Sequence, residues 1–179
     1  MIRGEKIYLR PLKRIDVAYL QKYFENPEVM SEFNFFGFHG SEGIEQEFNK
    51  NGFISDTYTR LAVVTHSEQI VGMVDYRPVR HGPGQGNIAY FFGIELAKEH
   101  RGLGYGTEAH KLLVRYLFAT YPIVRIETLT DSENKAEQRT LEKSNFTREG
   151  IMRQSQWRKG AWHDMVLYSI LRQEQPELG

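Results

Sequence analysis

The sequence predicts an α/β domain built on a mixed β-sheet. Three observations carry this: an early hairpin rich in β-branched residues, then strand–helix–strand–helix, then two closing strands. At 179 residues the chain has the length of one domain, which runs roughly 100–200 residues.

The elements follow in order. "KIYLRPL", Lys6 to Leu12, alternates Ile7 and Leu9 with Tyr8 and Arg10 and stops at Pro11, as a strand does. Val17, Leu20 and Phe24 recur at helical spacing within Arg14 to Phe24, and Asn26-Pro27 ends that helix. Ser41 is placed to cap a second helix, with Glu42 and Glu45 favourable to its dipole. "RLAVVTHSEQIVGMVDYRPV" reads as a hairpin: Arg60 to Thr65, a turn at His66 to Glu68, then Gln69 to Val79. "RHGPGQG", Arg80 to Gly86, is a loop, and "NIAYFFGIEL" is the next strand. Tyr105, Ala109, Leu112, Leu113, Tyr116 and Leu117 then hold one apolar helical face. A strand at Ile123 to Thr130, a helix from Asn134 to Lys143, a strand near Gly150 to Trp157 and a last one at Trp162 to Leu171 complete the order. No repeat or interdomain linker interrupts it.

Composition excludes several functions. Lys plus Arg balance Asp plus Glu at 23 each, so no global charge draws the chain to nucleic acid or an anionic membrane. Cysteine is absent, which removes disulfides, thiolate zinc sites and a cysteine acyl-enzyme. The histidines are scattered with no H-x-x-x-H pair, and no metal site is expected. No apolar run approaches the ~20 residues of a membrane span, and "MIRGEKIYLRPL" carries charges where a signal peptide needs apolar residues. A cytoplasmic protein is the expectation.

The chemistry concentrates in "HRGLGYGTEAHKLL", where Gly102, Gly104 and Gly106 precede a helix. Neither a Walker A loop nor a dinucleotide fingerprint fits: Gly106 is followed by Thr107-Glu108, and the last glycine of G-x-G-x-x-G would fall on Thr107. What remains is R-x-x-G-x-G, as Arg101, Gly104 and Gly106, between a strand and a helix. The first N–H groups of a helix and its dipole suit a pyrophosphate, glycine lets the anion reach the backbone, Arg101 adds a charge and Thr107 a hydroxyl. A loop that needs glycine only for positive φ is the alternative.

Here the sequence resembles the GNAT superfamily of N-acetyltransferases, whose coenzyme A site carries Q/R-x-x-G-x-G/A. "AYFFGIELAKEHRGLGYGTEA" is similar to that family's fourth strand and pyrophosphate loop, and "NKAEQRTLEKSNF" to its N-x-x-S-x-R-x-L-E-K-x-G-F helix. "GEKIYLRPLKRIDVAYLQKYFENPEVM" and "GAWHDMVLYSIL" resemble the two ends of the branch with ribosomal-protein N-terminal and spermidine acetyltransferases. The resemblance covers nearly the whole chain. It implies a single N-acetyltransferase domain over residues 1–179, with a splayed central sheet flanked by helices. It also implies acetyl-CoA as cosubstrate and direct transfer to an amine without an acyl-enzyme.

The resemblance further implies that Ile94 and Leu96 offer backbone to the pantetheine arm, beside Arg101, Gly102, Gly104, Gly106 and Thr107. Asn134 either caps its helix or binds that arm; both stay open. Glu137 replaces a small residue of the family, and Asn145 replaces a glycine in a position where asparagine tolerates positive φ. No family acid or base is carried over, because Leu141, Asn87 and Leu129 stand at those positions. Asp75 and Tyr168 remain as candidate catalytic groups, each with a structural role as the alternative.

For the acceptor, Glu25, Glu28, Glu32, Glu42, Glu45 and Glu47 form a run free of Lys and Arg around "FNFFGF", Phe33 to Phe38. An acidic rim of Glu28 and Glu32 with Phe35 and Phe36 as walls suits a cationic amine, a polyamine-like molecule or a protein N-terminus. Solvated acids, and phenylalanines in a core or homodimer contact, are the alternative. A catalytically weak acyl-CoA-binding sensor of the same fold, and a nucleotide-binding protein, are the rival functions.

Overall fold

The computed structural model describes residues 1–37, 41–84 and 86–175. Eight strands form one sheet: β1 (Ile2–Arg3), β2 (Ile7–Pro11), β3 (Thr59–Thr65), β4 (Ile70–Arg80), β5 (Ile88–Leu96), β6 (Arg125–Asp131), β7 (Thr147–Arg158) and β8 (Ala161–Leu171). Their spatial order is β1-β2-β3-β4-β5-β6-β8-β7. Only β5 and β6 run parallel; the other neighbours are antiparallel. The helices are α1 (Val17–Glu25), α2 (Ser41–Asn51), α3 (Tyr105–Thr120) and α4 (Lys135–Lys143). The mixed α/β architecture is the expected one. The Ser41 cap and Phe38 lie outside what is described.

Alternation along the strands sorts two cores. Ile7, Leu9, Leu61, Val63, Val74, Tyr76 and Phe92 pack with Leu112, Leu113 and Leu117 of α3. Tyr8, Ala62, Val64 and Met73 point to the opposite face, against Val17, Leu20 and Tyr23 of α1 and Ile44 of α2. With helices on both faces, β2 is buried along Ile7 to Arg10 instead of half-solvated as its alternation suggests. Arg10 is accommodated there by Asp16, which accepts from both of its terminal nitrogens. The helix expected from Arg14 begins as a short 3-10 turn over Arg14–Asp16 and becomes α1 at Val17.

The feature that positions the site is where β5 and β6 part. They pair only at Tyr90↔Ile126 and Phe91↔Glu127. One further tie, Thr128 Oγ1 donating to the Phe92 carbonyl at 2.8 Å, marks the crotch of the fork. Beyond it the strands diverge, and the loop after Leu96 crosses to α3.

The sheet ends are uneven. β1 is two residues long, while β7 is a long outer strand whose register slips twice, between Arg148 and Gly150 and between Met152 and Gln156. Ile151, Met152, Trp157 and Trp162 are exposed along that outer hairpin, and the two indoles meet edge-to-face at 5.5 Å.

Candidate active site

A cleft of about 770 Å³ opens at the fork. It reaches the glycine loop at one end and the segment following α1 at the other. Gly102 and Gly104 hold φ of 75° and 87°, a conformation that costs other L-residues about 1–2 kcal/mol. Gly106 has ordinary φ, but a Cβ there would lie 3.4 Å from Thr140 Cγ2 and 3.6 Å from Leu96 Cδ1. It keeps the first turn of α3 close to α4 and β5. Gly102, Gly104, Gly106, Thr107, Ile94, Leu96, Arg101 and Asn134 all line the cleft.

Two of these side chains are held by partners within the fold. The Arg101 guanidinium donates to the Leu96 carbonyl from Nε at 3.0 Å and Nη2 at 2.9 Å, and to the Val29 carbonyl at 3.4 Å. It fastens the glycine loop to the end of β5 and to the segment after α1. Positive charge near the loop comes also from Arg139 and Lys143 of α4, and from Lys6, whose Nζ donates to the Leu103 carbonyl at 3.1 Å. Lys6 was invisible in the sequence because nearly a hundred residues separate it from the loop. Asn134 Oδ1 accepts from the Glu137 amide at 3.1 Å, so the side chain caps α4. Asn145, at φ 65°, takes the left-handed role expected of it.

On the opposite wall, Gly93 lines the cleft between Phe91 and Glu95, and the Asp75 carboxylate takes the space that its missing side chain leaves. Its register partner is Asp75, and a Cβ at Gly93 would stand 3.1 Å from Asp75 Oδ2. Glu95 lines the cleft, and its Oε2 is enclosed with no hydrogen-bond partner among the described residues. Burial pushes the Glu95 carboxyl up to about 7; the Arg60 charge opposes this, the Asp75 charge adds to it and the Tyr23 hydroxyl eases it. Asp75 is also raised, by burial first, with Arg60 and Arg77 pulling it back. Two carboxylates thus share one guanidinium, and Arg60 sits over Phe24, Tyr58 and Phe53 at 5.1, 5.5 and 5.8 Å. Such a pair favours holding one proton near neutral pH.

Glu95 was missed in the sequence. The available signal was an acid within "AYFFGIEL" on the same face as Ala89 and Phe91, in a strand otherwise free of charge.

Tyr168 takes the structural role that was its alternative. It is fully buried in the α3-side core, does not line the cleft, and its hydroxyl donates to Glu142 Oε1 at 3.1 Å. Leu141 is fully buried in that core too. Leu141→Ala is therefore expected to cost about 2–5 kcal/mol in denaturant unfolding with turnover per folded molecule unchanged. A loss of turnover without a loss of stability would assign α4 a chemical role. His110, at 0% exposure on α3, lies 3.2 Å from Glu137 Oε1, giving the unusual acid at position 137 a buried neighbour.

The acceptor wall also departs from the expected acidic rim. The side chains of Glu28 and Glu32 do not line the cleft; Ser31, Phe33, Asn34 and Phe36 do, whereas Phe35 packs on the α1–α2 core. Glu45 pairs with Arg14 on the exposed outer surface at 3.0 Å. Arg158, 4% exposed, holds this segment in place. It pairs with Asp131 at the end of β6, donates to the Glu32 carbonyl at 3.2 Å and lies over the Phe33 ring at 5.1 Å. Asp131, Glu133 and His163 bring three possible metal ligands together, but the Arg158 guanidinium occupies Asp131 and lies 3.1 Å from His163 Nδ1.

Comparison with known proteins agrees with this geometry. A family model described as an acetyltransferase (GNAT) domain matches residues 6–147. The probable N-acetyltransferase YjcK of Bacillus subtilis (strain 168) is 28% identical, over 96% of this chain and 97% of that one. The spermidine N(1)-acetyltransferase of Escherichia coli (strain K12) is 23% identical over 97% and 90%. Among solved structures, spermidine N-acetyltransferase from Vibrio cholerae in complex with CoA and spermine superposes with a TM-score of 0.82 at 20% identity, covering 96% of this chain and 98% of that one.

Proposed function

Since the chain belongs to the acetyltransferase (GNAT) family, we propose that it moves an acetyl group directly from acetyl-CoA to a primary amine, on a small molecule or a peptide. The observation that carries this reading is the fork: a glycine loop at one end, and on the wall two residues from Gly93 the Glu95 carboxyl poised near neutral pH.

In this reading the pyrophosphate meets the N-terminus of α3 at Gly102, Gly104, Gly106 and Thr107, with Lys6, Arg139 and Lys143 adding charge. The pantetheine arm runs along Ile94 and Leu96, replacing the ladder that β6 no longer supplies. The acetyl group then lies near Gly93, beside the Asp75 and Glu95 carboxyls. An amine arrives protonated and must lose that proton before attack. Glu95, held near neutrality, takes it, with Asp75 and Arg60 setting its affinity for the proton. The nitrogen attacks the carbonyl carbon, the carbon–sulfur bond breaks, and the thiolate recovers a proton from solvent. No covalent enzyme intermediate is needed, in keeping with a chain that has no cysteine.

A single domain over residues 1–179 working in the cytoplasm, without a nucleic-acid or membrane partner, belongs to the same proposal. Balanced charge supports it, as does the lack among the described residues of any helix long and apolar enough to cross a membrane. So does a homodimer, for which the exposed Trp157 and Trp162 supply apolar surface.

Calorimetry with acetyl-CoA, CoA and ATP, followed by thiol-release assays against an amine panel, tests the function. Tight coenzyme binding with amine-dependent thiol release is expected. Coenzyme binding without turnover on any amine would make the protein a sensor, and preference for ATP would reject the family chemistry. Arg158→Lys retains charge but loses the planar fork. It is expected to raise acceptor KM about tenfold at unchanged coenzyme affinity, and an unchanged KM would show that the Phe33 segment does not shape the acceptor site.

A further inference from the structure

The acceptor wall has a polarity that the acidic run of the sequence does not suggest. Asp131 is neutralised by the buried Arg158. Among the described residues, this wall then keeps the Glu95 carboxylate and the Arg77 guanidinium outside any ion pair. Arg77 lines the cleft and stacks on the Phe91 ring, 4.4 Å from its centroid. Its charge is felt by Asp75 two positions earlier on the same face, but the two groups are not within ion-pair distance. The Arg77 side chain is exposed and makes no hydrogen bond among the described residues, and a guanidinium so available takes a carboxylate through two parallel hydrogen bonds.

Arg77 is not placed for the coenzyme's phosphates. The glycine loop follows Leu96 at one end of β5, whereas Arg77 is the register partner of Phe91, beside the fork. From Asp75, opposite Gly93, to Arg77, opposite Phe91, is two residues of strand, about 7 Å. Two residues of extended peptide span about the same distance. An amine near Gly93 and an anionic group at the Arg77 guanidinium, which lies over the ring of Phe91 two residues from Gly93, thus suit a molecule of about dipeptide size. Phe33, Phe36 and Phe91 line the same wall, and Phe36, 54% exposed, suits an apolar group on such a molecule.

We propose that the acceptor is a small amine that also carries a carboxylate, in the manner of a dipeptide with an apolar side chain, and that Arg77 reads the carboxylate. This rests on the acetyltransferase reading above and narrows its acceptor. A polycation would meet Arg77 in its path with Glu95 alone to balance it, so the proposal stands against a polyamine.

The test compares glycyl-phenylalanine, glycyl-phenylalaninamide and spermidine as acceptors, with acetyl-CoA as donor, in the wild-type protein and in Arg77→Gln. The free acid is expected to exceed its amide by at least about tenfold in kcat/KM, the low end for a charged hydrogen-bonded contact, and to exceed spermidine. Arg77→Gln should abolish the preference for the acid while calorimetric affinity for acetyl-CoA stays unchanged. Equal or better turnover of the amide or of spermidine by the wild type overturns the proposal and leaves the acetyltransferase reading intact. So does an acid preference that survives in Arg77→Gln. Loss of coenzyme affinity in that variant would assign Arg77 to the coenzyme instead. Coenzyme binding with no transfer to any amine, in these three and the wider panel, would overturn both readings together.

Discussion

Glu95→Gln is expected to lower kcat/KM by about 10²–10⁴-fold, the usual contribution of a positioned general base, and at the same time to stabilise the fold. The two effects share a cause. Burial raises the Glu95 carboxyl from 4.5 to about 7, so between those values the folded protein binds more protons than the unfolded chain. Stability contributed by this group is full below pH 4.5, falls as pH rises and is lost above about 7, with a total on the order of 3 kcal/mol. Glutamine never ionises. The variant should therefore match the wild type in urea unfolding at pH 4 and exceed it by on the order of 1–3 kcal/mol at pH 8. Wild-type kcat/KM should rise as pH passes through about 7, when Glu95 becomes a base, and that inflection should vanish in the variant. A variant less stable at pH 8 with unchanged turnover would make Glu95 a structural residue.

Gly106→Glu should remove coenzyme binding. The new Cβ meets Thr140 Cγ2 and Leu96 Cδ1 at ordinary contact distances and needs no left-handed backbone, so the fold should persist. Its carboxylate would project at the first turn of α3. Like charges about 4 Å apart repel by about 4 kcal/mol at an effective dielectric of 20, so acetyl-CoA affinity should fall by about 10²–10³-fold. Gly104→Glu adds backbone strain at φ 87° and is the less clean variant. Calorimetric affinity unchanged in folded Gly106→Glu would place the phosphates elsewhere.

Local signals in the sequence located most of the fold. Gly104 at the N-terminus of α3, Asn134 capping α4 and Asn145 closing it are each decided within a few residues, and each stands where sequence reading puts it. What sequence reading did not reach depends on distant pairings. Arg101 looked like an anion ligand because its carbonyl partners at Leu96 and Val29 are set by how the loop folds back. The acids from Glu25 to Glu47 looked like a rim because composition does not say which way a side chain points. Glu95 acquires its chemistry from Arg60 and Asp75, on two other strands whose register had to be known first.

The outer strands of the sheet bear on solubility. An exposed strand edge offers unpaired N–H and C=O groups to any extended chain that meets it, and growth of the sheet from molecule to molecule begins there. At one end β1 offers only two residues, too few to hold an incoming strand. At the other, the two register slips of β7 break its outer row of donors and acceptors into short pieces, and Gln154, at φ 48°, turns its amide back to Asp164 Oδ1 at 2.8 Å. An eight-stranded sheet with Trp157 and Trp162 exposed at its margin is thereby kept from acting as a template for fibril growth.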